Sequence, residues 1–240
     1  MTLAEGRVGL RDQLQIGRRE LSARFHASPP RTIGAGELLT AGIKSSATIC
    51  HLVAGWACQS RDFSNGHQAI LDIYLPGDVI GLDSVLRTRA LSNVLTLTSI
   101  AIEVINAKDA TLDELMTCRS TALYIAWLLG QRQQRADRLL GALSSLDARG
   151  RLATMLLDFF KRLSRRGLVT GSTYNLPLKQ AQIGAYLGLT VAHVNRVLRS
   201  LRDERIANVE KHAVTIFDVE GLMRLAGDGQ VMAATGNHAA

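Results

Sequence analysis

Four residues near the C-terminus carry the chemistry most useful for recognition: Ala192, Asn195, Arg196 and Arg199. They recur at i, i+3, i+4 and i+7, which places them on one face of a helix. Arginine bonds both major-groove acceptors of guanine, asparagine pairs with adenine, and alanine lets a backbone approach the bases closely. His193 joins them at the same end. Val194, Val197, Leu198 and Leu201 fall on the opposite side, as a buried face requires. The pattern predicts a surface that reads bases in double-stranded DNA through Ala192, His193, Asn195 and Arg196. A plain helical hairpin with a solvated basic face is the alternative reading of the same stripe.

The neighbouring residues favour recognition, because they supply the parts that would position such a helix. A first helix is expected from Gln180 to Leu187, with Ile183 and Leu187 inward. Gly184 sits where two helices must cross closely, and Gly188 falls at a turn that needs positive φ. Leu189 is expected to plug that turn, and Thr190 to cap the second helix through its hydroxyl. Downstream, the stretch from Ile206 to Phe217 reads as two apolar runs around a polar tip at Glu210-Lys211-His212, a two-stranded wing. Leu176-Pro177-Leu178 reads as a short strand leading in. Asp147 is expected to cap a helix from Arg149 to Arg165 whose apolar face carries Leu152, Met155, Leu156 and Phe159. Gly167 to Ser172 closes that helix.

The rest of the chain is read by pattern and composition. With 240 residues, 47% of them hydrophobic, there is room for two modest domains with ordinary cores. Net charge is +7, and residues 147–226 hold 13 Lys and Arg against 7 Asp and Glu. The positive excess therefore sits beside the recognition stripe, where it would attract phosphate. No run of about 20 apolar residues and no leader pattern is present, so a cytoplasmic protein without membrane contact is expected. Cys50, Cys58 and Cys118 are widely spaced and read as free thiols.

A charged helical stretch runs from about Leu10 to Ala27 and stops at Ser28-Pro29-Pro30. Short β-prone runs follow (Ile49–Val53, Ala69–Leu75, Val94–Thr98), punctuated by glycines at 34, 36, 42, 55, 66, 77 and 81. Ser64-Asn65-Gly66 is a hairpin signal. These predict a compact β-roll or jelly-roll unit. A helical stretch then runs from near Thr111 to Leu146, apolar for several turns. Ile125, Leu128, Leu129, Ala136, Leu139 and Leu143 are expected to form part of a homodimer seam; packing wholly against its own chain is the other reading. The expected fold class is α+β: an N-terminal segment (1–30), a β-roll of sensor type (31–110), a linking helix (111–146), a winged helix-turn-helix domain (147–226) and a tail (227–240).

That order resembles the Crp/Fnr superfamily of bacterial transcription regulators. Leu75-Pro76-Gly77-Asp78 with Ile80-Gly81 is similar to the family's Pro-Gly-Asp turn. The stretch Leu146–Ala153 is similar to the family's first helix after the hinge. Gln182–Thr190 and Val194-Asn195-Arg196-Val197-Leu198 are similar to its helix-turn-helix. The resemblance spans about residues 30–225. It implies a homodimer on an inverted-repeat operator, with RNA polymerase as a further partner. By resemblance Arg196 is the base-reading arginine. Gln180, Thr190 and Arg199 match phosphate-contacting positions, and Lys211 or His212 could touch phosphate from the wing tip. Where relatives carry a cytosine-reading glutamate, this chain has Ala192, so its operator should differ.

The sensor is less legible. Cyclic-nucleotide binders of the family carry a glycine-glutamate pair and then an Arg-Ser or Arg-Thr. Here Gly81-Leu82-Asp83 and Leu91-Ser92 stand instead, with Arg87 and Arg89 nearby. A phosphate without that arginine would lack its counter-charge, so the usual cyclic-AMP contacts are not expected. No cysteine precedes Cys50, against iron–sulfur sensing. Haem ligation by His51, His67 or Cys58 remains an alternative, but no cofactor or metal is expected and the effector is left open. A metal-dependent β-roll enzyme would need clustered His and carboxylate ligands. His51 and His67 stand singly, so the chain is not expected to be an enzyme.

Overall fold

A computed structural model describes residues 9–27, 29–39, 48–64, 68–82, 93–106 and 109–227. The first half runs α1 (Leu10–Phe25), β1 (Arg31–Ile33), β2 (Thr48–Ala54), β3 (Ala57–Asp62), β4 (Gln68–Tyr74), β5 (Val79–Ile80), β6 (Asn93–Thr96) and β7 (Ile100–Asn106). Then come α2 (Asp109–Thr117), α3 (Arg119–Ser145), α4 (Ala148–Ser164), β8 (Thr173–Asn175), α5 (Gln180–Leu187), α6 (Val191–Asp203), β9 (Ala207–Glu210), β10 (Ala213–Ile216) and α7 (Val219–Leu225). Asn65, Gly66, His67, Gly42, the stretch 83–92 and the tail from 228 lie outside the described residues, and with them most of the hairpin tip and the Arg87, Arg89, Leu91 and Ser92 positions. Among the described residues no helix is long and apolar enough to cross a membrane.

Two compact units form: Met1–Gly55 with Gly77–Gln134, and Trp56–Pro76 with Arg135–Ala240. In the first, an antiparallel sheet in the order β1-β7-β2-β5 buries Ile49, Ile80, Ile100, Ile102 and Ile105. Leu21, Phe25, Ile49, Leu82, Ile105, Leu115 and Ile125 make one apolar cluster with Leu128 and Leu129 packed on it. α1 lies close on α3, since a Cβ on Gly17 would collide with the Ser120 carbonyl. The Glu103 carboxylate is buried against the sheet and accepts from His26 Nδ1 at 2.7 Å and His51 Nδ1 at 2.9 Å. Burial pushes the Glu103 carboxyl upward, but the bonds from His51 and His26 outweigh it and the net shift is downward.

Cys50 is buried in β2, and burial pushes its thiol up to about 12, so it is a chemically quiet side chain. Cys58 is buried as well. Cys118 lies at the break between α2 and α3, where its Sγ donates to Glu20 at 2.9 Å.

Sequence patterning assigns all strands before residue 107 to one roll. β4, β3 and β6 form a second sheet of the N-terminal half, and the β3–β4 pair also packs on the C-terminal helices. Trp56 meets Phe159 edge-on at 5.4 Å, and the Arg162 guanidinium donates to the Ile73 carbonyl at 3.1 Å. Arg166 donates to the Leu75 and Pro76 carbonyls. Arg135 approaches Asp72 at 3.6 Å.

Along α3 the six seam candidates divide. Ile125 is 5% exposed and spent inside its own unit. Leu128, Leu129, Leu139 and Leu143 are half-buried and Ala136 is exposed. Trp127 and Leu140, which the sequence reading passed over, show 44% and 67% of their surface.

Candidate nucleic-acid interface

The interface is built from the second unit. Asp147 caps α4 by accepting from the Gly150 amide at 2.8 Å, as expected from its type and place. Leu152, Met155, Leu156 and Phe159 are all buried on α4, and the Tyr174 hydroxyl donates to the Leu156 carbonyl at 2.9 Å. This ties β8 to α4. β8 occupies residues 173–175 rather than 176–178, because Pro177 has no amide to give a ladder. Leu176 still donates to the His212 carbonyl at 2.7 Å and holds the wing tip.

α5 begins and ends where its sequence demands. Its start is fixed from a residue the sequence reading missed: Gln182 Oε1 accepts from the Lys179 amide at 2.8 Å, half of a capping box. Its end is Gly188, at φ +64°. The close approach at Gly184 is to the turn rather than to the facing helix, since a Cβ there would strike the Leu189 carbonyl. Leu189 itself is only half-buried, and Leu187 fills the core at 0% exposure.

Thr190 then caps α6, its hydroxyl accepting from the His193 amide at 3.2 Å. Val194, Val197 and Leu201 are at most 5% exposed, Leu198 half-buried, so one side of α6 is committed to the core. Ala192, His193, Asn195, Arg196 and Arg199 are all exposed on the other side. The far end is fastened by Glu204, which accepts from Arg149 and from Ser200 Oγ at 2.8 Å. Those bonds, Arg149 first, hold its carboxyl below the ordinary range.

β8, β10 and β9 make a three-stranded antiparallel sheet, and β9 and β10 are the wing. Its turn is two residues, Lys211 and His212, at φ +49° and +64°. Glu210 belongs to the strand, paired with Ala213, and not to the tip as the sequence suggested. Lys211, His212, Gln180 and Thr190 are exposed. The outcome is a helix whose outer face offers amide, imidazole and guanidinium groups, flanked by a basic turn. Such a set can bond base edges and neutralise phosphate.

Comparison with known proteins agrees with this geometry. Residues 150–225 match the family model of a Crp-like helix-turn-helix domain. The transcriptional regulatory protein btr of Bordetella pertussis is 26% identical over 165 residues, which cover 68% of this chain and 67% of that protein. The anaerobic regulatory protein of Haemophilus influenzae is 28% identical over 165 residues, covering 68% of this chain and 63% of its own length. FixK2 from Bradyrhizobium japonicum has the same fold, with a TM-score of 0.68 at 20% identity over 82% of this chain and 96% of that one. Residues 150–225 thus form a Crp-like helix-turn-helix domain, and over two thirds of its length the chain is similar to bacterial transcription regulators of the Crp/Fnr type. Its fold is accordingly α+β, an N-terminal β-roll and a long helix followed by a winged helix-turn-helix. The matched stretch thus spans two thirds of one curated relative and less of the other.

In the N-terminal half, one position of the nucleotide-binding pattern can be compared directly. Leu82, where the nucleotide-binding pattern has glutamate, is 6% exposed and packs among Leu21, Ile49 and Ile105. A carboxylate there would be buried in hydrocarbon. His51 Nδ1 is engaged by Glu103, and among the described residues no cluster of three His, Cys, Asp or Glu could hold a metal ion.

Proposed function

We propose that this chain is a cytoplasmic, sequence-specific transcription regulator of the Crp/Fnr type that binds an inverted-repeat operator as a homodimer, without the usual cyclic-AMP contacts. The observation that carries the reading is the division of α6, with Val194, Val197 and Leu201 at 5% exposure or less and Ala192, Asn195, Arg196 and Arg199 exposed. Base edges fall to Ala192, His193, Asn195 and Arg196. Phosphates fall to Gln180, Thr190, Arg199, Lys211 and His212, which surround that face at the helix ends and wing. RNA polymerase is a further partner on this reading.

The dimer seam lies along α3. Leu128, Leu129, Ala136, Leu139 and Leu143 keep accessible apolar surface there, joined by Trp127 and Leu140. Ile125 supports the seam from beneath. Two-fold symmetry then sets two recognition helices about 34 Å apart, one turn of the duplex.

Selection from a random duplex pool with purified full-length protein tests this directly. The expected product is an inverted repeat with half-site centres about 10 base pairs apart. A pool that never enriches, with or without added cell extract, overturns the reading.

A further inference from the structure

α6 opens on an apolar residue that no role so far uses. Val191, the first residue of the helix, leaves 44% of its surface exposed, and Ala192 beside it is exposed too. Val191 lies one turn before Asn195, and Ala192 one turn before Arg196, so both belong to the edge that carries the polar readers. The first turn of α6 holds no acidic residue. A carboxylate at this end would accept from the cytosine amino group. Without one, the leading edge has no side-chain acceptor of that kind and offers hydrocarbon.

We infer that Val191 and Ala192 form an apolar lip that takes the 5-methyl group of a thymine in each operator half-site. The inference rests on the DNA-reading role of α6 and adds what its leading end selects. Thymine is the base that presents a methyl group in the major groove, and apolar side chains are its natural contact. The N-terminal residues of a recognition helix are those that reach base edges. The thymine therefore lies next to the bases bonded by Asn195 and Arg196. Burying one methyl against Val191 changes affinity by about fourfold per half-site, and by about fifteenfold when both half-sites are altered.

The test uses the full-length protein and the duplex recovered by selection. Each thymine of both half-sites is replaced in turn by deoxyuridine, which removes the methyl and leaves every hydrogen-bonding group. One thymine should show the loss of about fifteenfold. In Val191→Ser, an exposed change at a helix's first residue, that loss should shrink toward none while the operator is still selected. A second variant, Ala192→Glu, should move the preferred base at that position from thymine to cytosine. If the operator is selected but no deoxyuridine replacement matters, or if Val191→Ser leaves the penalty intact, the lip is wrong and the DNA-reading role stands. A pool with no selected operator overturns the role and the lip with it.

Discussion

Arg196 and Arg199 sit three residues apart on the same helix and carry the same charge, yet their positions assign them different work. Arg196 lies in the middle of the exposed face between Ala192 and Arg199, where a planar fork can reach guanine. Arg199 lies almost a turn further along the same exposed face, the position proposed to meet phosphate. Arg196→Ala should therefore cost about 1–3 kcal/mol and relax preference at one base pair. Arg199→Ala should weaken all sequences by a similar factor and lower the salt slope by about 1. Titrations of operator and scrambled duplex at several salt concentrations separate the two, and the reverse pattern would exchange the roles. The backbone events that frame this helix were legible in sequence because the information is local. Gly184, Gly188 and Thr190 each announce a backbone event within a few residues of themselves. Gln182 escaped notice because a glutamine three residues after a lysine is not the usual form of a capping box.

At the scale of elements, the wing shows a conflict between residue type and backbone. A two-residue hairpin turn with both φ values positive suits Asn-Gly, and here it is made by Lys211 and His212. Each non-glycine residue held there costs on the order of 1 kcal/mol. Replacing the pair, Lys211→Asn with His212→Gly, should raise stability by about 1 kcal/mol in urea unfolding. The same variant should bind DNA more weakly with a shallower salt dependence, having lost a cation at the tip. Unchanged affinity would remove the tip from the interface. The wing strands were readable because their apolar residues alternate. The packing of the β3–β4 pair on the C-terminal helices was not readable, because it depends on Trp56 against Phe159 and Arg162 reaching Ile73, residues about 90 to 100 positions apart. β3 itself, Ala57-Cys58-Gln59-Ser60-Arg61-Asp62, is too polar to announce a strand. Helical spacing likewise puts Ile125 in line with Leu129 and Leu139, and its burial in one cluster with Leu21 and Phe25 is not readable from that spacing.

At the scale of the whole molecule, stability also depends on a buried carboxylate in the N-terminal unit. Glu103 holds α1's end and β2 together through His26 and His51, and its carboxyl is shifted down on balance. A depressed carboxyl contributes stability above its unfolded value of about 4.3, and that contribution fades as pH falls through the folded value. Neutral imidazole can donate from Nδ1, so the bonds do not require charged histidine. Glu103→Gln should therefore be less stable than the natural chain by about 1–2 kcal/mol at pH 7, the gap closing below about pH 4. Urea unfolding across that range measures it, and a gap independent of pH would contradict the assignment.

Sequence-specific regulation by this chain requires that the outer face of α6 tell one base sequence from another. The most direct measurement is competition: labelled selected operator, held by the natural chain at near-physiological salt, displaced by unlabelled operator or by unlabelled scrambled duplex of equal length. The operator should compete at least about 10³-fold better than the scrambled duplex, and Arg196→Ala should narrow that ratio by about 10-fold or more. Equal competition by the two duplexes would contradict the central claim.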